Sequence, residues 1–584
     1  MVPEVLPPAS VAESSTARKQ QWRWGAVEAI GIVFLSLLLN LAGNGRTGLW
    51  DRDEPRYAVC VREMRARGDW LFPTFNDEPR YHKPILIYWL MGLTTAFGGD
   101  SPFGVRLVSS VAGAATVLGV WWLGRRIYGP RGGRLAALIM ATAPIAIAES
   151  KLATTDATLA LWLFGCQSCL WVLGRQPSRT AAALFWLFLS LATLTKGPIG
   201  PTLIVAASLC AWCCGWPLSA WKRLHWQRGL IGYAILTAPW YILISLASAG
   251  EFLRFAVGRQ IVSRLASDIE SHGGFPGYYP VVSALVFYPW SALLPAALVG
   301  AWTRRKSDPN LGFLLGWAIG PLLLLECFRT KLIHYYLPAI PACALLTAWL
   351  ALSVTAEGVN IRRRPLGRLA MSLLVGIALV GVVVLIAGTT VAPGSMRLAM
   401  ISVAAVMTAG TLVSLSAFQR GATDRAVYSL AATWAVIMMT VTGFLIPAGE
   451  PYRTSRVLGE KLAALAAKLN IEPVLLEYQE PGVVYSVGHP IALTRDRDGF
   501  FGHLKGGRSV LTVALPSEVE VMRNHFGLVV TPVDEVDGFI LTKGQQKTLQ
   551  IAVVREGEQP STVEPADPNT HRIGLKLEHG ATSR

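Results

Sequence analysis

Thirteen apolar runs, most of them close to the length of helix that crosses a bilayer, constrain this chain more than any other feature. A helix needs about 20 residues to span the hydrocarbon core. Runs of that order lie near 25–43, 104–124, 133–149, 153–173, 180–195, 198–216, 229–249, 279–302, 311–328, 333–353, 367–388, 396–416 and 427–447. The pattern predicts a polytopic α-helical membrane protein with about 13 transmembrane helices. Composition agrees, since 52% of the 584 residues are hydrophobic, 15% are charged and 20 are Trp, which is far from the balance of a soluble domain.

The charges between the runs predict an orientation. Alternate short loops hold Arg18, Lys19, Arg23; Arg125, Arg126, Arg131, Arg134; Arg175, Arg179; Lys222, Arg223, Arg228; Arg304, Arg305, Lys306; Arg362, Arg363, Arg364, Arg368; and Arg420, Arg425, or 21 cations. The opposite short loops hold only Lys151, Lys196, Arg329, Lys331 and Arg397. By the positive-inside rule the N-terminus (1–24) is cytoplasmic, and an odd number of spans puts the residues after Glu450 on the other side. The same clustering explains the formal charge of +16 as loops facing an anionic leaflet. With no basic and aromatic groove pattern, a nucleic-acid partner is not expected. The eight cysteines lie in or beside apolar runs, apart from Cys60, and form no disulfide or zinc framework. The first run lacks a small-residue cleavage site and reads as an uncleaved anchor.

Within the membrane part, 25–449, two long connections fall on the outer side, 44–103 and 250–278. In the first, Asp51, Asp53 and Glu54 stand where the first apolar run has ended. Pro55 suits the first turn of a helix, Tyr57, Val61 and Met64 follow at i, i+4 and i+7, and Gly68 is a stop, so this stretch is expected to be an amphipathic helix lying in the interface. The run 84–97 is apolar but short, and is expected to be a second surface or re-entrant helix. Beyond Pro447 the composition changes. A helical pattern at Leu458, Leu462, Leu465 and Leu469 precedes short β-type runs at 474–477, 491–494, 509–514, 528–532, 539–542 and 549–554, which predicts a small extracytoplasmic α/β domain over 450–556. The polar tail 557–584 is expected to be disordered.

Seventeen polar residues gather at the outer ends of apolar segments: Asp51, Asp53, Glu54, Tyr81, His82, Lys83, Glu149, Lys151, Asp156, Lys196, Arg259, Arg264, His272, Lys331, His334, Tyr335 and Tyr336. Any one of them could be a solvated loop charge or a snorkelling lysine. Their coincidence on one face points to a site, because ionisable groups at such depth usually face a cavity. Lys83, Lys331, Arg259 and Arg264 are able to bind an anionic phosphate, and Asp53 is able to accept a proton from an attacking hydroxyl. A transporter would more naturally bury charges at the midplane of broken, repeated helices, and no internal repeat is visible here.

The motifs Arg52-Asp53-Glu54-Pro55-Arg56-Tyr57-Ala58, Lys83-Pro84-Ile85, Thr154-Thr155-Asp156-Ala157 and Thr330-Lys331-Leu332-Ile333-His334-Tyr335-Tyr336-Leu337-Pro338 resemble those of polyprenyl-phosphate-sugar glycosyltransferases of the GT-C fold. The chain is most similar to the bacterial lipid A aminoarabinose transferases, which are related to protein O-mannosyltransferases. The resemblance implies that Asp53 is the catalytic carboxylate, that Lys83, Arg264 and Tyr335 surround the lipid phosphate, and that Asp156 is a second acid near the same cavity. Glu54 competes with Asp53 for the catalytic role unless it caps the helix, and Tyr81, Arg259 and Lys331 complete the candidate donor site. There are departures from the family pattern. Where the family has Glu before the equivalent of Lys83 this chain has His82, and a later outer-loop His is replaced near Arg259 or Gln260. Both positions bear on a bound metal ion in that family, which leaves His82 as the candidate ligand here and a divalent metal ion as an open expectation.

The expected activity is therefore inverting sugar transfer from undecaprenyl (polyprenyl) phosphate to lipid A, another glycolipid or a protein, among membrane lipids on the periplasmic side of a bacterial inner membrane. A flippase of lipid-linked sugars is the rival from another class. The sidedness on which both readings depend is testable. A reporter active only outside the cytoplasm should be active when fused after Lys547 and silent when fused within 125–134, and activity at the second position would overturn the topology.

Overall fold

A computed structural model of the protein describes residues 15–51, 53–256, 274–357, 364–476, 480–494, 497–540 and 545–557. The chain divides into two compact units, 1–453 and 454–584. In the first, all thirteen apolar runs fall on helix. Lipid forces this, because every backbone polar group within the hydrocarbon must be satisfied inside its own segment. Among the described residues nine helices are long and apolar enough to cross a membrane, so the chain is a multi-pass membrane protein.

The shortfall from thirteen has local causes. The runs 104–124 and 133–149 share one long helix, α4 (Pro102–Ala141), which follows α1 (Ser15–Leu41), α2 (Glu54–Arg67) and α3 (Leu86–Gly98). It bends at Gly129, whose φ of 76° no helical residue has, because Pro130 disfavours helical geometry in the residue before it. The second of these runs then breaks before Pro144, which opens the short α5 (Pro144–Ser150). After α6 (Asp156–Arg175), α7 (Arg179–Lys196) has the length to cross but begins on Arg179 and ends on Lys196, which lowers its mean hydropathy, and α8 (Ile199–Cys213) reaches only 15 residues. The run 279–302 is split into Tyr278–Val286, a single turn at Trp290–Ala292 and Leu294–Arg304.

The outer stretch before α4 is built by charge as much as by apolar packing. Tyr57, Val61 and Met64 are buried in α2 as the spacing requires, but so are Glu54, Val59, Cys60 and Glu63. The helix is therefore covered on more than one side, which corrects the expectation of an interfacial helix with an open polar face. The Glu63 carboxylate accepts from Asn76 N at 2.7 Å and from the Thr74 hydroxyl. This pins the tight turn at Asn76 and Asp77, both at positive φ, between the antiparallel strands β1 (Thr74–Phe75) and β2 (Glu78–Pro79). The α3 helix, at 13 residues, is too short to cross alone.

Glu54 and Arg106 are the deepest charges in this part, each about 1% exposed. Arg106 donates from Nε to Glu54 Oε1 at 2.9 Å and from Nη2 to Oε2 at 2.7 Å. Its remaining donors reach the carbonyls of Asn44, Thr47 and Gly48 at 2.7–3.0 Å. Glu54 also accepts from Trp50 N at 2.7 Å and from Ala153 N at 2.5 Å. A second pair clamps the same loop: Glu450 accepts from Gly48 N at 2.9 Å, and Arg453 donates to Glu450 at 2.7 Å and to the Gly48 carbonyl at 3.0 Å.

In the second unit, helix Thr454–Leu469 buries Leu458 and Leu462. Parallel β3 (Val474–Leu476) and β4 (Ala492–Thr494) form one small sheet. β5 (Val510–Ala514), β6 (Val529–Ile540) and β7 (Gln545–Arg555) form an antiparallel sheet in the order β5-β7-β6. The runs 528–532 and 539–542 are thus joined in one strand, with a register shift between Pro532 and Asp534 that absorbs the proline.

The buried pair yields a stability prediction. Arg106→Met should destabilise the protein by about 3–5 kcal/mol, because it strands a buried carboxylate. Adding Glu54→Gln should recover part of that loss. Thermal unfolding in detergent would test this, and a double variant no more stable than the single would deny the pair its role.

Candidate functional site

Four separate segments converge on one cavity of about 540 Å³. The turn after β2 supplies Tyr81, His82 and Lys83, the start of α6 supplies Asp156, the end of α7 supplies Lys196, and the turn Ile333–Ala339 supplies Tyr335. Leu159, Leu203, Leu253, Leu325 and Phe328 continue the lining as an apolar surface. One end therefore offers charge and the rest offers what an aliphatic chain needs.

At the charged end, Lys196 Nζ lies 2.6 Å from Asp156 Oδ1, with both side chains close to fully buried. The ammonium also sits over the Tyr335 ring, 4.9 Å from its centroid. His334 Nε2 is 3.9 Å from the other Asp156 oxygen. Asp156 thus serves first as the counter-ion of Lys196, and its own charge is largely spent there. Tyr81 Oη donates to Glu251 at 3.3 Å, and partial burial together with that carboxylate raises its pKa above the usual phenol value.

Asp53 behaves differently from its neighbour. It is exposed at the N-cap of α2, accepts no hydrogen bond there and forms no ion pair among the described residues. Its charge reaches Tyr57, whose phenol is pushed well above its ordinary pKa by burial first and Asp53 second, and it also reaches His334. Glu54, one residue on, has both oxygens occupied by Arg106, Trp50 and Ala153. That corrects its place among the catalytic candidates, because a carboxylate holding four donors in the core is not free to accept a substrate proton.

Lys331 is corrected too. It is buried, paired with Glu326 and donating to the Phe275 carbonyl at 3.0 Å, and it is not among the residues lining the cavity. Glu326 in turn accepts from the Gly277 and Tyr279 amides, so the pair braces a turn. Arg259 and Arg264, with His272, lie outside the described residues.

The divalent metal ion implied by the resemblance finds no fitting donor set among the described residues. Among the described residues no three of His, Cys, Asp and Glu gather to hold one, and the His82 ring packs edge-on against Phe255 with centroids 4.8 Å apart.

Lys196 and Arg106 are the functional and structural charges that the spacing did not single out. Lys196 stood among the outer polar residues without a role. Arg106 lies inside an apolar run, where the cost of a charge is itself a signal.

Comparison with known proteins follows the same lines. Residues 82–243 match the family model described as dolichyl-phosphate-mannose-protein mannosyltransferase. The chain is 32% identical over 370 residues to the undecaprenyl phosphate-alpha-4-amino-4-deoxy-L-arabinose arabinosyl transferase of Pseudomonas aeruginosa (strain UCBPP-PA14), covering 61% of this chain and 64% of that protein. It is 30% identical over 322 residues to the protein of the same name from Erwinia tasmaniensis, covering 53% and 57%. The chain thus spans less than two thirds of the length of the curated relatives it matches. Two crystal structures of ArnT from Cupriavidus metallidurans are similar over 91% of this chain and 98% of theirs at 20% identity, with a TM-score of 0.71 bound to undecaprenyl phosphate and 0.72 in the apo state. The fold is the GT-C fold of that transferase, and the resemblance read from the motifs is borne out.

The two lysines are separable by experiment. Lys83→Ala should weaken binding of a fluorescent polyprenyl phosphate roughly ten- to a hundredfold, the cost of one charge-assisted contact. Lys331→Ala should lower Tm and leave that Kd unchanged. Equal loss of binding in both variants would return Lys331 to the site.

Proposed function

We propose that the protein is an inverting glycosyltransferase that moves a sugar from undecaprenyl phosphate, or a related polyprenyl phosphate, to lipid A or another glycolipid. The observation that carries this reading is a cavity with lysines at one end and aliphatic walls beyond, together with a carboxylate, Asp53, that forms no ion pair among the described residues and whose charge reaches His334 beside Tyr335. Lys83 suits the phosphate, the apolar lining suits the prenyl chain, and the names of the relatives favour the same donor class. The work is done at the periplasmic face of the bacterial inner membrane, with the N-terminus cytoplasmic and the C-terminal unit periplasmic, as the loop charges favour.

An acceptor oxygen attacks the anomeric carbon from the face opposite the phosphate. The new C–O bond forms as the bond to the phosphate oxygen breaks, and the polyprenyl phosphate leaves with the electron pair. Asp53 takes the proton of a hydroxyl acceptor, or orients an acceptor that is already ionised. Lys83 and Tyr335, with Arg264 by family resemblance, offset the charge that grows on the leaving phosphate. Lys196 holds Asp156 ionised and fixes the position of the Tyr335 ring.

A second reading has one observation in its favour, since the family model matching 82–243 describes transferases that modify protein. On that reading the chemistry is unchanged and the acceptor is a Ser or Thr hydroxyl.

Asp53→Asn keeps the shape and removes the base. Transfer from a synthetic polyprenyl-phosphate sugar should fall by a factor on the order of 10² to 10⁴, with Tm unchanged because Asp53 holds no structural hydrogen bond. Transfer near the parent rate would sink the mechanism. A parent that carries the lipid across proteoliposomes but transfers nothing would put the flippase in its place.

A further inference from the structure

Arg80 is a buried cation that no carboxylate neutralises among the described residues. It is 7% exposed, and its amide is fixed by the Pro73 carbonyl at 2.9 Å at the end of the hairpin that Glu63 pins. Its guanidinium lies over the Tyr57 ring, 5.6 Å from the centroid. Among the described residues it has no carboxylate partner, and its Nε is sealed from solvent without an acceptor. The Tyr88 phenol is near enough to interact electrostatically, yet its hydroxyl also stays unpartnered in hydrogen-bonding geometry. Every other arginine or lysine discussed above that is sealed to this depth has a carboxylate: Arg106 has Glu54, Arg453 has Glu450, and Lys331 has Glu326.

An unpaired guanidinium in such surroundings costs several kcal/mol unless an anion arrives to meet it. Its setting says which kind. Tyr57, under the guanidinium, lies within electrostatic reach of Asp53 and Asp156, and Tyr81 and Lys83, next along the chain, line the cavity. The five donors of a guanidinium match the planar, paired oxygens of a phosphate or carboxylate.

The geometry points to Arg80, with the Tyr57 and Tyr88 phenols beside it, as a second oxyanion site that holds an anionic group of a substrate apart from the donor phosphate at Lys83. This rests on the glycosyltransferase reading above. The oxyanion is either a phosphate on the acceptor or an acidic substituent on the donor sugar, and the two sources are separated by which substrate loses apparent affinity.

The test uses Arg80→Met, which keeps the bulk and removes the charge, and Arg80→Lys, which keeps the charge without the fork. Without ligand, Arg80→Met should melt at or above the parent Tm, because an unpaired buried charge has been taken away. In a Lys83→Ala background, inorganic phosphate should raise Tm, and adding Arg80→Met should abolish that rise. In transfer assays Arg80→Met should raise KM roughly ten- to a hundredfold for one substrate only, the acceptor if it carries the oxyanion or the donor if the sugar does. Arg80→Lys should fall between. The proposal is overturned if both KM values stay within twofold of the parent, if the phosphate response survives Arg80→Met, or if the variant melts lower with kinetics intact, which would make Arg80 a packing residue. A parent that transfers no sugar would count against the glycosyltransferase reading alone, since the phosphate titration still reads Arg80.

Discussion

The buried pair of Glu54 and Arg106 is the interaction on which the site depends. Two opposite charges in the core stabilise a fold only when their remaining donors and acceptors are met, and here the contacts go to the segments that frame the site. Arg106, on α4, gathers the carbonyls of residues 44, 47 and 48, while Glu54, on α2, takes the amides of Trp50 and Ala153. Asp53 precedes Glu54 by one residue and Asp156 follows Ala153 by three. The separation of the two acids is therefore set by a pair that takes no part in the chemistry. Glu450 and Arg453 add a second hold on the same loop, and the Gly48 carbonyl accepts from both arginines.

Adjacent acids have consequently divided their tasks. A helix start buries one side and leaves the other open, and the pitch turns successive side chains by about 100°. Glu54 faces inward and is consumed by structure. Asp53 faces outward, at a helix end whose dipole favours the ionised carboxylate, and remains available. The proline after them suits this arrangement, since its missing amide removes one of the two donors that a cap at Asp53 would use.

How much of this was legible in the sequence follows from where the constraints act. The apolar runs were readable because lipid leaves the backbone no alternative to helix, and Gly129-Pro130 announced its own break. That Lys83, Asp156 and Tyr335 line one cavity was readable from motifs and from the common side of the membrane that the loop charges predict. The partner of each charge was not. Spacing along the chain does not reveal that Arg106 meets Glu54 across 52 positions, so Glu54 stayed a close competitor of Asp53. Lys331 looked like a phosphate ligand for the same reason, although Glu326 five residues earlier was a hint. Arg80 carried no role in the sequence, because a missing partner becomes visible only when all the others have been placed.

The charges lining the cavity bear on the order of events. Among the described lining residues Lys196 is already committed to Asp156, its partner at 2.6 Å. On the glycosyltransferase reading the donor is a phosphodiester with one negative charge, and the leaving polyprenyl phosphate is a monoester that carries about 1.5 to 2 negative charges near pH 7. Lys196 could meet the added charge only by giving up Asp156, and that would strand a buried acid. The growing mismatch favours release of the lipid phosphate after the sugar has gone. Arg264, placed near the phosphate by the family resemblance and lying outside the described residues, is the cation that would set how far this mismatch extends.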